Sequence, residues 1–354
     1  MILDKKGPHS PHKKAFLSTM RKLTALFLAG CLSVVVLSYS ASAETVFTDT
    51  AKKAMDAEYT KGQAFMESGF RDIPKEYRTS AAHQGRIDTL EYSSGKKNKK
   101  ALVYVPYGYS EDQQYNILYL LHGAWGNEKT FFGSNPKQSL LKNVLDHLIE
   151  NGEMQPILVV TPTYYAKKNA LPFFDTSEKD VKVFPEELVN ELMPVVETAY
   201  STYTVTADEA GFTASRAHRA FGGFSMGAVT TWYVFEKYLA YFQSFILCSG
   251  DSWTIKKFGG QSEAAETAKA LAESVARQGY TAEDFFIYAA TGGKDIAELQ
   301  MSAQIEAMKN MDIFQLLGTD RSEGNIVYYV KKGAYHAYSY VKMYLFNILP
   351  DLWP

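Results

Sequence analysis

Short apolar runs and stretches of helical periodicity alternate along most of this chain. Near residue 85 the order is different, because strand-like runs at 87–92 and 101–106 flank a lysine-rich turn, which predicts an antiparallel hairpin. Beyond residue 115, apolar strand-like runs alternate with helix-compatible segments, a pattern typical of crossover units. We therefore predict an α/β fold with a mostly parallel central sheet, an antiparallel N-terminal hairpin, and helices on both faces.

The predicted elements beyond the hairpin follow one scheme, in which buried strands are joined by helices. The strand candidates are 116–122, 156–162, 219–223, 242–248, 285–290 and 326–330, and the helix candidates are 139–150, 185–200, 228–239, 262–278, 296–311 and 338–349. Ligands in such folds gather at the carboxyl ends of the parallel strands. Candidate chemistry is therefore expected in the loops that follow the strands.

The first 43 residues have the pattern of a signal peptide. Two basic residues after Met20 precede an apolar stretch at 23–37, and small residues at 41–43 suit a cleavage site. Met20 is the expected start, so the residues before it form an upstream extension. Lipid attachment at Cys31 is the alternative, and it ranks second because the apolar stretch continues beyond that cysteine.

Three segments follow from these patterns: the extension and signal peptide at 1–43, a weakly patterned N-terminal lead-in at 44–80, and the α/β domain at 81–354. A chain of 354 residues with 46% hydrophobic content can bury a large core. Export removes six of 37 basic and one of 39 acidic residues, which leaves 31 and 38 and a net charge of about −7. This acidity argues against nucleic acid or an anionic membrane as a partner.

The cysteine and metal-ligand patterns argue against a disulfide-stabilised protein and against a metalloprotein. Cys248 is the only cysteine of the predicted exported chain, so no internal disulfide is expected. No group of His, Cys and carboxylate residues has the spacing of metal ligands, so no metal or other cofactor is expected.

A G-x-S-x-G sequence, with Ser225 between Gly223 and Gly227, supplies the candidate nucleophile. An apolar run ends at the glycines and a helix-compatible run begins just after the serine, which predicts a strand, a tight turn and a helix. Such a turn brings strand and helix so close that only small residues fit at the flanking positions. An ordinary glycine-rich loop is the alternative interpretation.

A serine nucleophile needs a base, and the position of each histidine leaves two candidates, His122 and His336. His336 follows the last predicted strand and is the favoured base, because this fold class uses the chain order serine, acid, histidine. A surface loop histidine is its alternative interpretation. His122 precedes Gly123 and is expected to shape a loop rather than transfer protons.

A carboxylate must hold the base in the correct tautomer. Asp295 follows the predicted strand at 285–290 and is favoured over Asp251, which follows the preceding strand; as an alternative, Asp295 could simply cap the next helix. The oxyanion formed on attack requires preorganised donors. The backbone N–H groups of Met226 and Ala124 are the expected donors, with Trp125 as an alternative to Ala124.

Several blocks in order resemble carbohydrate esterase family 1, the branch of the α/β-hydrolases that contains feruloyl esterases and acetyl xylan esterases. The blocks are Tyr104-Val-Pro-Tyr-Gly-Tyr, Leu120-Leu-His-Gly-Ala-Trp-Gly-Asn-Glu, Pro185-Glu-Glu-Leu to Pro194-Val-Val-Glu, Gly223-Phe-Ser-Met-Gly, Ser249-Gly-Asp-Ser-Trp and Gly333-Ala-Tyr-His. The resemblance implies an α/β-hydrolase fold and an esterase triad of Ser225, His336 and Asp295. It also implies an oxyanion hole of Met226 and Ala124. Many members carry a glycine where this chain has Ala228.

The resemblance implies plant polysaccharide carrying feruloyl or acetyl esters as the substrate. Aromatic residues at the carboxyl side of the sheet favour a ferulate-sized acyl group, and Trp125, Trp253 and Tyr335 are the candidate substrate-binding residues. Loop packing is the alternative role for each of them. The rival functions are an acetyl xylan esterase, relatives acting on siderophore esters, formylglutathione or mycolyl lipids, and a carbohydrate-binding protein without activity.

Overall fold

A computed structural model describes residues 71–95, 97–135, 138–165, 174–316 and 324–353. The predicted extension and signal peptide lie outside these residues, as does most of the lead-in. Within them, an eight-stranded sheet has the strand order β1-β2-β4-β3-β5-β6-β7-β8. Its strands are β1 (Arg86–Ser94), β2 (Lys97–Val105), β3 (Asn116–Leu121), β4 (Ile157–Thr161), β5 (Arg219–Phe224), β6 (Ser244–Cys248), β7 (Phe286–Gly292) and β8 (Ile326–Lys331).

The hairpin and the mostly parallel sheet are both confirmed. β1 pairs with β2 antiparallel, and β2 pairs antiparallel with β4. Every further pairing, from β4 through β3 to β8, is parallel. Because β3 to β7 run side by side in the same direction, their carboxyl ends meet along one edge of the sheet.

Both faces of the sheet are covered, which explains why the central strands are continuous apolar runs. Side chains alternate along β3, so that Ile117 and Tyr119 join one core cluster while Leu118 and Leu120 join the other. The helices that cover the sheet are α1 (Leu140–Glu150), α2 (Phe174–Glu187), α3 (Met193–Ala199), α4 (Glu209–Ala214), α5 (Met226–Lys237), α6 (Ala264–Arg277), α7 (Glu298–Met308) and α8 (Tyr338–Ile348). In the part of the chain that the structure describes, none is long and apolar enough to cross a membrane.

The start of the helix predicted at 185–200 was placed too late, whereas its end agrees with the structure, where helical residues run to Ala199. Pro185 marks no helix start; it lies inside α2, which begins at Phe174, and a π-helical segment, Leu188–Leu192, follows before α3. Because proline lacks a backbone donor and crowds the preceding turn, it is more common at a helix start than in a helix interior, and this is why the sequence pattern misled the prediction. The short helix α4 was not predicted at all.

A buried ion pair fixes the start of the strand that leads to Ser225. Arg219, the first residue of β5, donates from Nε and Nη2 to the two carboxylate oxygens of Glu197, each at 2.7 Å. The Tyr119 hydroxyl on β3 donates to the same carboxylate at 3.0 Å. This bidentate geometry satisfies both buried charges and locks α3 against the sheet.

We expect Glu236→Gln to raise the free energy of unfolding by about 2 kcal/mol at pH 8 and to change it little at pH 4. Burial near the end of α5 raises the pKa of the Glu236 carboxyl from 4.5 to about 7, although the Ser252 hydroxyl opposes the shift. As the pH rises, the Glu236 carboxyl ionises first in the unfolded chain, so the folded state loses stability progressively between about pH 4.5 and 7. Above about pH 7 this loss has reached its full size and persists.

Chemical denaturation of wild type and variant across this pH range measures the effect. Glu273→Gln is the control, since that carboxylate is exposed on α6 and pairs with Lys269 at the surface. A difference between Glu236→Gln and wild type that is constant from pH 4 to pH 8 would contradict the assignment.

Candidate active site

Ser225 occupies a sharp turn between β5 and α5. Its φ and ψ are 55° and −115°, a backbone conformation that residues other than glycine rarely adopt. The Ser225 N–H donates to the Cys248 carbonyl at 2.9 Å, and the Val229 N–H donates to the Ser225 carbonyl at 3.0 Å. The turn is therefore held from the neighbouring strand and from the helix that it opens.

The two flanking glycines are required by close backbone contacts. A Cβ on Gly223 would lie 2.4 Å from the carbonyl carbon of Gly227, and a Cβ on Gly227 would lie 2.2 Å from the Leu121 carbonyl oxygen. Real Cβ atoms do not approach this closely. The predicted strand, tight turn and helix are present, with the serine raised at the carboxyl edge of the sheet.

His336 and Asp295 meet at the same edge. His336 Nδ1 lies 2.7 Å from Asp295 Oδ1, and the two side chains are 21% and 0% exposed. A carboxylate oxygen accepts hydrogen bonds, so this contact orients the imidazole with Nδ1–H toward Asp295. The His336 ring packs against Phe224, the residue before Ser225, at 4.5 Å between ring centroids. The geometry brings a basic imidazole nitrogen to the side of the serine turn.

The competing acid, Asp251, is engaged elsewhere. It accepts from the Gly260 N–H at 2.9 Å and from the Trp253 indole N–H at 3.2 Å. Burial raises the pKa of Asp251, and those two hydrogen bonds oppose the shift. Asp251 therefore organises the loop after β6, while Asp295 also accepts from the Ala297 N–H at 2.9 Å and so stabilises the turn before α7.

The loop at 123–126 lies directly against the serine. A Cβ on Gly123 would be 3.0 Å from the Ser225 Cβ. Met226, on the other side, is the first residue of α5, where backbone N–H groups have no partner within the helix. The Trp125 N–H donates to the Tyr165 hydroxyl at 2.9 Å, so this group is already used by the protein. Ala124, which lies between Gly123 and Trp125 in the sequence, is half-buried.

His122 is wholly buried beneath that loop. Its Nδ1–H donates to the Gly123 carbonyl at 2.7 Å, and its Nε2 lies 2.8 Å from the Thr163 hydroxyl, which donates to it. Burial lowers the pKa of His122 to about 4, so the imidazole is neutral at physiological pH. It contacts backbone and hydroxyl groups, which suits the predicted loop-shaping role.

Comparison with known families decides the class of this protein. A family model described as "Putative esterase" matches residues 93–352. The chain belongs to this esterase family. Membership places it among the carboxylic ester hydrolases, and the resemblance to carbohydrate esterase family 1 and its α/β-hydrolase fold is confirmed by feruloyl esterase structures at 38% identity.

The relatives of this esterase include modules of larger proteins. Endo-1,4-beta-xylanase Y of Acetivibrio thermocellus is 39% identical over 281 residues, which cover 79% of this chain and 24% of that protein. An endo-1,4-beta-xylanase/feruloyl esterase of Xylanibacter ruminicola is 30% identical over 182 residues, covering 48% of this chain and 23% of that protein. The chain thus spans about a quarter of the length of these curated relatives.

Solved structures of esterases share the architecture. A serine-to-alanine mutant of the feruloyl esterase module from Clostridium thermocellum, complexed with sinapinate, matches with a TM-score of 0.71 and 38% identity over 80% of this chain and 93% of that one. A ferulic acid esterase of Anaeromyces mucronatus has a TM-score of 0.59 at 19% identity, covering 79% and 95% of the two chains. The second match concerns the fold alone.

The three candidate substrate-binding residues of this esterase differ in exposure. Trp125 and Tyr335 are 69% and 54% exposed, whereas Trp253 is 5% exposed and packs edge-on against Phe258. A role of Trp253 in binding substrate stays a prediction. Ile296, next to Asp295, is 77% exposed and had no signal in the sequence, since a single apolar residue before a helix is indistinguishable from a core position.

Among the described residues, no group of three or more His, Cys, Asp or Glu side chains could hold a metal ion. The carboxyl edge of the sheet holds the serine turn, the hydrogen-bonded pair of His336 and Asp295, and the first backbone N–H groups of α5.

Proposed function

We propose that this protein is a secreted serine esterase that hydrolyses feruloyl and related hydroxycinnamoyl esters on plant xylan. Ser225 is the nucleophile, His336 the general base and Asp295 the acid that orients it. The observation that carries the proposal is the 2.7 Å hydrogen bond between His336 Nδ1 and Asp295 Oδ1 beside a serine held at positive φ.

In the first half of the reaction, the Ser225 hydroxyl oxygen attacks the ester carbonyl carbon while His336 Nε2 accepts the hydroxyl proton. The carbonyl oxygen becomes an oxyanion that accepts from the N–H groups of Met226 and Ala124. When the tetrahedral intermediate collapses, the bond to the sugar oxygen breaks and His336 gives its proton to that oxygen. Asp295 stabilises the protonated imidazole between these steps.

In the second half, a water molecule attacks the acyl-serine ester. His336 Nε2 takes one proton from the water and returns it to the Ser225 oxygen as the acyl group leaves as the free acid. The same oxyanion donors serve both halves, since both intermediates place negative charge on the same carbonyl oxygen.

The choice of ester is supported by the relatives and by the rim of the site. The relatives named above are xylanase and feruloyl esterase proteins, and one is complexed with sinapinate, a hydroxycinnamate. Trp125 and Tyr335 expose large aromatic faces on loops beside the triad, where a ferulate or a sugar ring can stack. Secretion is supported by the signal-peptide pattern of residues 20–43.

We expect the enzyme to release ferulate from methyl ferulate and feruloylated arabinoxylan faster than it releases acetate from acetylated xylan. The measurement is the initial rate of each acid, followed by chromatography with Ser225→Ala as the blank. Release of acetate alone would assign the chain to the acetyl xylan esterases. No serine-dependent release from any of these esters would favour a carbohydrate-binding role.

A further inference from the structure

The loop that carries Ala124 is held on both sides by tyrosine hydroxyls. The Gly123 N–H donates to the Tyr338 hydroxyl at 2.8 Å, and the Trp125 N–H donates to the Tyr165 hydroxyl at 2.9 Å. The two tyrosines come from different parts of the fold, one from the start of α8 and the other from the loop after β4. Neither hydrogen bond has any signal in the sequence.

Tyr338 connects this loop to the base. It is the first residue of α8 and lies two residues beyond His336. Its ring meets Phe224 edge-on at 4.8 Å and Phe131 edge-on at 5.5 Å, while Phe224 also packs against the His336 ring. The short segment 336–338 therefore contains both His336 and the tyrosine that binds the Gly123 N–H. Both rings pack on Phe224, the residue before Ser225.

Tyr165 holds the other side through a second layer of rings. Its hydroxyl lies 3.1 Å from the Tyr164 hydroxyl, which donates to it, and both rings lie against His122 at 5.5 and 4.6 Å. The peptide that Tyr165 anchors belongs to Trp125, whose φ is 60°. A non-glycine residue keeps such a conformation only when its surroundings fix it, and the Tyr165 hydroxyl is one such restraint.

We propose that Tyr338 and Tyr165 are positioning residues that hold the Ala124 N–H in place for the oxyanion. This inference rests on the proposed function. The N–H groups of Gly123 and Trp125 donate to tyrosine hydroxyls, so the Ala124 N–H between them is the loop donor that remains for the substrate. Preorganised donors stabilise a transition state because they need no rearrangement when charge develops.

A neutral acceptor suits this position better than a carboxylate would. A negative charge one peptide away from the oxyanion would oppose the charge that develops there. Burial raises the pKa of Tyr338 to about 12, so its hydroxyl remains neutral across the range in which an imidazole base works. The hydroxyl thus fixes the loop without adding charge to the site.

Tyr338→Phe removes the hydroxyl and keeps the ring that packs on Phe224. We expect kcat on methyl ferulate to fall about 10- to 100-fold, because a displaced oxyanion donor acts in the transition state, and KM to change less than about twofold. The affinity for an arylboronic acid, which forms a tetrahedral adduct with the serine, should fall with kcat, whereas inhibition by the product ferulate should not. Tyr165→Phe should act in the same direction.

Tyr340→Phe is the matched control, since Tyr340 lies two residues along α8 and points from a different side of the helix. It should keep kcat, KM and boronate affinity near their wild-type values. Tyr165→Phe also provides an independent test if Tyr338→Phe does not fold.

The inference is overturned if the folded tyrosine variants keep kcat and boronate affinity, or if their loss appears in KM alone. A wild-type enzyme without Ser225-dependent ester hydrolysis would overturn the proposed function itself, and that result is visible before any tyrosine variant is made. The two failures are therefore distinguishable.

Discussion

Ser225→Ala is expected to lower kcat on methyl ferulate by about 10⁴- to 10⁶-fold, with little change in KM. In the proposed mechanism the Ser225 hydroxyl oxygen is the attacking atom, and the turn at φ 55° holds the serine at the carboxyl edge of the sheet. Alanine keeps the Cβ and hence the backbone constraint, so the site remains formed without its nucleophile. The measurement is steady-state ferulate release by wild type and variant at equal protein concentrations, determined without an active-site titration.

Ser249→Ala is the matched control for Ser225→Ala. Ser249 follows the neighbouring strand β6, also has a positive φ of 57°, and accepts from the Thr291 hydroxyl at 3.4 Å. Losing that hydroxyl should reduce kcat by less than about tenfold, as expected of a substitution outside the chemistry. If both variants lose activity equally, or if Ser225→Ala remains active, Ser225 is not the nucleophile.

Asp295→Asn is expected to lower kcat by about 10⁴-fold. An asparagine amide can donate to His336 Nδ1, which favours the tautomer with the proton on Nε2, so the nitrogen that acts as the base in the proposed mechanism no longer accepts a proton. In the proposed mechanism the Asp295 carboxylate also stabilises the imidazolium, and a neutral amide cannot. Measured against pH, the variant should show low kcat throughout, with substrate KM close to that of wild type.

The decisive comparison for the acid is Asp251→Asn. Asp251 accepts from the Gly260 N–H and the Trp253 indole, so its substitution should lower thermal stability while kcat stays within about tenfold of wild type. The opposite result, with Asp251→Asn inactive and Asp295→Asn active, would transfer the role of the acid to Asp251. It would also require a rearrangement of the loop after β6.

The alternating pattern predicted the parallel strands well because central strands covered on both faces are apolar throughout. The serine turn was predicted equally well, because the close contacts of Gly223 and Gly227 leave no room for a side chain. The helix boundaries were predicted less well. Pro185 looked like a first helical residue, yet α2 starts at Phe174 and passes through the proline, because packing against α5 outweighs local propensity.

The sequence by itself determined the succession of the eight strands, the turn around Ser225 and the family, since these depend on local patterns of side-chain size and polarity. It also indicated Asp295 and Asp251 as candidate acids and His336 as the candidate base, because each follows a predicted strand. Only the tertiary structure decided which acid pairs with His336, because both acids follow neighbouring strands and differ in where their side chains point.

The same limit applies to the loop around Ala124. Its tyrosine anchors lie about 40 and 215 residues away along the chain, and parallel strands bring such distant loops to one edge of the sheet. Spacing along a sequence carries no information about contacts of this kind. The proposed nucleophile therefore depends on a local turn, whereas the arrangement of residues around it depends on the assembled sheet.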